Sequence, residues 1–189
     1  MFKKIRLLTA AAFLAVMGMG TSAYAQSEWA GYDSWDTLYS RGNWRLDRNV
    51  HSDGFLSCES RTANNDGYSF SLFTWQDGRV SIRFQSNQWD FGTDISSISF
   101  VVKIDNRPIW TLDGSRADDV IQMTIQTPDP DLTRFLREVR SGRTLYLGNA
   151  SSDEITRFSL SGTTATLSQH GQCEDTILNT NLNPSDPFL

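Results

Sequence analysis

Apolar and polar positions alternate with a period of two over several stretches of the chain. The clearest is 68–75, Tyr-Ser-Phe-Ser-Leu-Phe-Thr-Trp, followed by Gln76-Asp77-Gly78 and then by 79–84, Arg-Val-Ser-Ile-Arg-Phe. Asp-Gly between two alternating runs predicts a hairpin. With Asp77 and Gly78 as a two-residue loop, Trp75 faces Val80, Phe73 faces Ile82 and Ser71 faces Phe84. That register gathers Phe73, Trp75, Val80, Ile82 and Phe84 on one face. It leaves Arg79, Ser81 and Arg83, together with Phe70 and Leu72, on the other. The run 98–104 places Ile98, Phe100, Val102 and Ile104 on one side. A turn at 105–108 leads into a short partner strand, 109–112, ended by Asp113-Gly114. Further strands are predicted at 120–125, 143–147 and 155–160, and Ser161-Gly162 turns the chain into a last one at 163–167.

One segment has helical period. Asp129 is an N-cap residue followed by Pro130 at the first helical position. Leu132, Phe135, Leu136 and Val139 recur at i, i+3, i+4 and i+7, and Gly142 reads as the residue that ends the helix. Arg134 and Glu138 are spaced to pair at i, i+4. The stretch 26–41 is rich in Trp and Asp and has no clean period. Many short strands and one late helix predict a mainly β chain, an antiparallel β-sandwich or barrel-like domain with one amphipathic helix near residues 130–141. It would occupy 26–178 as a single domain, with 179–189 a poorly ordered tail.

The first 25 residues stand apart from this pattern. Lys3, Lys4 and Arg6 precede an apolar stretch, and Ala23-Tyr24-Ala25 is a small-x-small cleavage site. This is the pattern of a secretory signal peptide, cleaved after Ala25, and it predicts a periplasmic or secreted protein with no transmembrane segment after cleavage. Cleavage removes three of the 17 basic residues and none of the 22 acidic ones, which takes the formal charge from −5 to −8. Such a balance disfavours nucleic acid as a partner. Cys58 and Cys173 both lie in the exported part, where an oxidising compartment predicts one disulfide. Closing so long a loop stabilises by roughly 4–5 kcal/mol on the chain-entropy account.

Chemistry is sparse. His51, in a polar loop, and His170 both read as surface histidines, and no G-x-S-x-G elbow accompanies them. Asp105, Asp113, Asp118, Asp119, Asp129 and Asp131 are the carboxylates from which an acid–base pair would be drawn, and turn chemistry explains Asp105 and Asp113 equally well. No metal-ligand, P-loop or dinucleotide motif occurs, so no cofactor or metal is expected. Six tryptophans are the compositional oddity. Trp75 and Trp110 fall in strand patterns and read as core; Trp29, Trp35 and Trp89 lie in polar surroundings and are binding-surface candidates. Arg134, Arg137 and Arg140 form a local basic patch on an acidic chain, suited to an anionic partner or a solvated helix face.

The second half also carries a resemblance. Ile104-Asp105-Asn106-Arg107-Pro108 runs into Trp110; a helix with Phe135 follows, then Gly142, Thr144-Leu145-Tyr146-Leu147, and Phe158-Ser-Leu-Ser-Gly162 with a cysteine shortly after. Over about 98–173 this resembles small exported proteins of Gram-negative bacteria, the invasion-associated locus B family and the VasI-like type VI secretion-associated family. The resemblance implies an exported, disulfide-bonded β-rich domain and transfers no catalytic residue. The expected function is therefore a non-catalytic envelope protein that binds a protein or glycan partner. A carbohydrate-binding module using exposed tryptophans is the alternative, and a hydrolase with an unrecognised carboxylate site is the second alternative.

Overall fold

The computed structural model describes residues 32–180. The signal-peptide stretch, Trp29 and the tail from residue 181 lie outside the described residues. Ten strands run in order as β1 (Tyr32–Arg41), β2 (Trp44–His51), β3 (Leu56–Ala63), β4 (Tyr68–Trp75), β5 (Val80–Ser86), β6 (Ser96–Ile104), β7 (Trp110–Ala117), β8 (Val120–Ile125), β9 (Thr144–Asn149) and β10 (Glu154–Ser159). Helix α1 (Pro130–Ser141) precedes β9, and helix α2 (Thr163–Leu178) follows β10. The chain is mainly β, as its alternation predicts. All ten strands form one antiparallel sheet in the order β1-β2-β3-β4-β5-β8-β7-β6-β9-β10.

The sheet is not closed into a barrel, but it curls until its two halves face each other. Its inner face carries Trp44, Phe70, Leu72, Ile82 and Phe84 from one half and Phe100, Val102, Leu145, Leu147 and Phe158 from the other, all in one buried cluster. Phe70 stacks on Phe84 at 5.1 Å and meets Phe158 across the core at 6.0 Å. Polar contacts fasten the halves: the Trp44 indole N–H donates to the Ser159 carbonyl, and the Asn64 amide donates to Thr156 Oγ1 and to the Arg157 carbonyl. Helix α1 closes the core with Leu132, Phe135 and Val139, the stripe expected from its period. Its cap is also as expected, with the Asp129 carboxylate accepting from Leu132 N at 2.7 Å.

The β4–β5 hairpin corrects the predicted register. Thr74 pairs with Val80 and Phe70 with Phe84. Trp75 N donates to Arg79 O and Gly78 N to Trp75 O, so the loop holds three residues, with Gly78 in the left-handed region at φ +83°. A three-residue loop ending in a left-handed glycine shifts the register by one relative to a two-residue loop. Because side chains alternate, that one step exchanges the faces of β4. Phe70 and Leu72 join Val80, Ile82 and Phe84 inside, while Phe73 and Trp75 point outward and are buried with Phe55 in a separate cluster.

Three further expectations change. The segment 163–167 is not a strand but the first turns of α2. Strand β7 does not end at Gly114; it runs through to Ala117, and a Cβ at Gly114 would lie 2.2 Å from the Gln122 carbonyl on β8. Glycine is needed there because two backbones approach closely. The unpatterned stretch before residue 41 contains β1, whose residues other than the half-buried Tyr32 and Tyr39 are exposed and so show no alternation.

The outer face of β2–β5 is polar yet buried. Ser71 Oγ donates to Glu59 Oε1 at 2.7 Å, and Tyr32 donates to the other carboxylate oxygen. Burial and the Glu59 carboxylate hold the Tyr32 phenol above its ordinary pKa. His51, expected at the surface, ends β2 at 1% exposure with Nε2 2.9 Å from Ser57 Oγ.

Gly142 caps α1 in extended conformation, φ −81°, rather than in the left-handed region expected of it. Its role is space: a Cβ there would lie 2.6 Å from Ile104 Cγ2 and 2.9 Å from Leu160 Cδ1, both buried. Gly142→Ala is therefore expected to lower unfolding free energy by about 1–3 kcal/mol in urea titration. Gly171→Ala, in the middle of α2 with nothing within 4 Å of a new Cβ, is expected to raise it by up to about 1 kcal/mol. Equal effects at the two positions would contradict this packing account.

Candidate functional site

Helix α2 is seated on the sheet by an unusual stripe. Its buried residues are Thr163, Thr166, His170, Cys173 and Ile177, which recur every three or four positions. Cys173 is joined to Cys58 on β3 by a disulfide, with Cα atoms 6.1 Å apart. One turn earlier, His170 enters the sheet: Nδ1 lies 2.7 Å from Ser60 Oγ and Nε2 lies 2.9 Å from Thr74 Oγ1. The two anchors are geometrically matched. Cys58 and Ser60 share a strand face at i, i+2, and His170 and Cys173 share a helix face at i, i+3. Thr74 on β4 pairs in register with Cys58.

His170, expected at the surface, is 6% exposed, and burial lowers its pKa to about 4. The ring is thus neutral near pH 7, with one donor and one acceptor nitrogen. Each faces a hydroxyl that can donate or accept, so either tautomer is satisfied. This Ser–His pair is structural. Ser60 is fully buried, both ring nitrogens are engaged, and among the described residues no carboxylate hydrogen-bonds to the imidazole.

Seating α2 here leaves a cleft of about 540 Å³ between α1 and α2, above β4 and β5. Its floor and walls are apolar, from Leu72, Val80, Leu132, Leu136 and Leu167. Arg137 and Arg140 are exposed at the mouth, and Glu174 lies on the α2 wall. Arg140 Nη2 donates to Ser168 Oγ at 2.9 Å, and Thr164 Oγ1 donates to the Arg140 carbonyl, which ties the end of α1 to the start of α2. Neither Arg137 nor Arg140 makes an ion pair among the described residues. Burial raises the Glu174 carboxyl above the usual carboxylate range, and the neighbouring Asp175 charge adds to this. A second groove, about 560 Å³, lies over the outer face of β6–β8, but it is lined by Ser97, Ser99 and Ser115, with Asp113 already accepting from Ser99. The α1–α2 cleft alone of these two combines apolar depth with guanidiniums that have no ion pair among the described residues, the mixture small ligands use.

The residues singled out from sequence separate accordingly. Arg137 and Arg140 line the cleft. Arg134 points elsewhere: its guanidinium lies 4.3 Å from the Trp110 ring and pairs with Asp131 at 3.1 Å, while Glu138, its expected partner, accepts from the Trp110 indole. Trp89 is half-buried, edge-on to Tyr68 at 5.6 Å and beside Phe91, a loop anchor rather than a platform. Trp35 is 59% exposed on β1. Asp105 accepts from the backbone N–H groups of Arg143 and Thr144, and Asp119 accepts from Gln85. The carboxylates considered for catalysis are therefore spread over turns, strand β7 and the start of α1. Sequence reasoning places His170 at the surface and leaves Leu167 and Glu174 unmarked, because it reads 163–167 as a strand and assigns no element to 168–178.

Comparison with protein-family models, with curated proteins and with solved structures finds no match to this chain. Among the described residues no three His, Cys, Asp or Glu come together as metal ligands, and no helix is long and apolar enough to cross a membrane.

The His170 anchor predicts a pH dependence. Between the ordinary histidine pKa of 6.5 and about 4, the unfolded chain binds a proton that the folded chain does not. Stability from this group is therefore complete above 6.5 and is lost as pH falls toward 4, by about 3 kcal/mol in all. His170→Gln removes the titration. The stability gap between wild type and His170→Gln, from denaturant unfolding, should narrow over that window; a gap independent of pH would contradict the assignment.

Proposed function

We propose that this chain is an exported, non-catalytic binding protein that holds another component of the cell envelope in the α1–α2 cleft. Export is supported by the signal-peptide pattern of residues 1–25 and by the Cys58–Cys173 disulfide, which suits an oxidising compartment. The observation that carries the binding role is the cleft itself: an apolar floor with two guanidiniums at its mouth that have no ion pair among the described residues. Binding rather than turnover fits because the histidine beside it is locked in structural hydrogen bonds. The family resemblance points the same way, to an envelope accessory protein. A second reading, glycan binding, draws on Trp35, whose indole is broadly exposed.

A photo-crosslinking residue at Leu136, inside the cleft, should capture the bound component in intact cells, whereas one at Thr111, on the outer face, should not. Gly171→Phe, which fills the cleft from a position with open space around it, should abolish the adduct. Adducts of equal yield at both positions, or unaffected by Gly171→Phe, would refute the cleft as the site. Binding on a glycan array that is lost in Trp35→Ala would shift the assignment to the second reading. The N-terminus of the cellular protein should be Gln26.

A further inference from the structure

Taking the α1–α2 cleft as the binding site, we propose that its ligand is a single-chain anionic amphiphile of the fatty-acid type. The acyl chain would lie on the leucine floor, with the head group at Arg137 and Arg140. Three observations on the cleft select this class. The first is what surrounds it. The floor strands β4 and β5 are internal to the sheet, flanked by β3 and β8, and the walls are helices, so the backbone of these four elements is paired within the sheet or within its own helix. An extended peptide laid there would bury its own N–H and C=O groups without partners, at a cost of kilocalories for each. An acyl chain has no such groups. The second is size: about 540 Å³ is in the range of small-ligand pockets.

The third is polarity along the cleft. Arg140 reaches Ser168 near the start of α2, while Glu174 stands six residues further on, roughly 9 Å along the helix axis. Asp129, the N-cap of α1, also lines the cleft, at the end of that helix away from Arg140. Cations therefore mark one end and the acids the other. On a chain with net charge −5, two guanidiniums at the mouth of an apolar slot, neither in an ion pair among the described residues, are complementary to one kind of head group, an anion. Arginine forks suit a carboxylate in particular, because both oxygens can be held at once.

The test is titration of the delipidated mature chain with cis-parinaric acid, a fluorescent fatty acid, and competition with dodecanoate and dodecylamine. The expected result is saturable binding, displaced by dodecanoate and not by dodecylamine. The pair Arg137→Ala/Arg140→Ala should weaken it at least about tenfold, the loss of one charge-assisted contact or more. Gly171→Phe should remove it while the far-ultraviolet circular dichroism and melting temperature stay unchanged. Binding that the arginine pair leaves unweakened, binding that survives Gly171→Phe, or equal competition by the amine would overturn the proposal. No binding of the probe, with Leu136 adducts in cells still abolished by Gly171→Phe, would overturn the amphiphile and leave the cleft reading standing. Loss of both signals would overturn both.

Discussion

Most of the architecture turns on how one polar helix is held against a sheet. The stripe by which α2 meets β2, β3 and β4 contains two threonines, a histidine, a cysteine and a single large aliphatic residue, Ile177. Apolar burial alone is a weak clamp for such a surface. The disulfide and the two hydrogen bonds of His170 take its place, one turn apart, on residues spaced two apart on β3. Removing a partner from this cluster would leave buried hydroxyls unpaired, which costs more than the bonds themselves contribute. The position of α2 is thereby specified by chemistry, and with it the opposite wall of the cleft.

That same chemistry explains what sequence pattern revealed and what it hid. Helix α1 was legible to its ends because its buried face is Leu132, Phe135 and Val139 and its cap is Asp129. Helix α2 was not, because Thr163, Thr166 and His170 carry no apolar period, and because β-branched threonines favour a strand reading. Half of the candidate site was therefore visible, as the arginines of α1, and the other half was not. Strands β6 and β8 were legible from clean alternation. In β4 both faces carry large apolar residues, Phe70 and Leu72 against Phe73 and Trp75, so the pattern could not choose a face. The choice fell to the turn, where Gly78 in the left-handed region adds a residue to the loop.

The burial of polar side chains on both faces of β2–β4 follows from the same layout. Leu46, Cys58 and Ser60 are covered by α2, while Asp47, Asn49, Ser57 and Glu59 on the other face bond to one another and to β1 and β4. In β2 and β3 many of the buried residues are acids, amides and hydroxyls, so apolar alternation does not mark these strands in the sequence. These hydrogen bonds and the disulfide hold the β3 and β4 side chains and the α2 wall in place beside the cleft before any ligand enters.

The central claim is that the Cys58–Cys173 bridge and His170 together seat α2 and so build the cleft. Hydrogen exchange at pH 7, compared between the wild type and Cys58→Ala/Cys173→Ala, tests it most directly. Faster exchange confined to α2 and the facing residues of α1, with β6, β7 and β9 protected as before, is the predicted result. Unchanged protection of α2, or a uniform loss across the whole sheet, would contradict it.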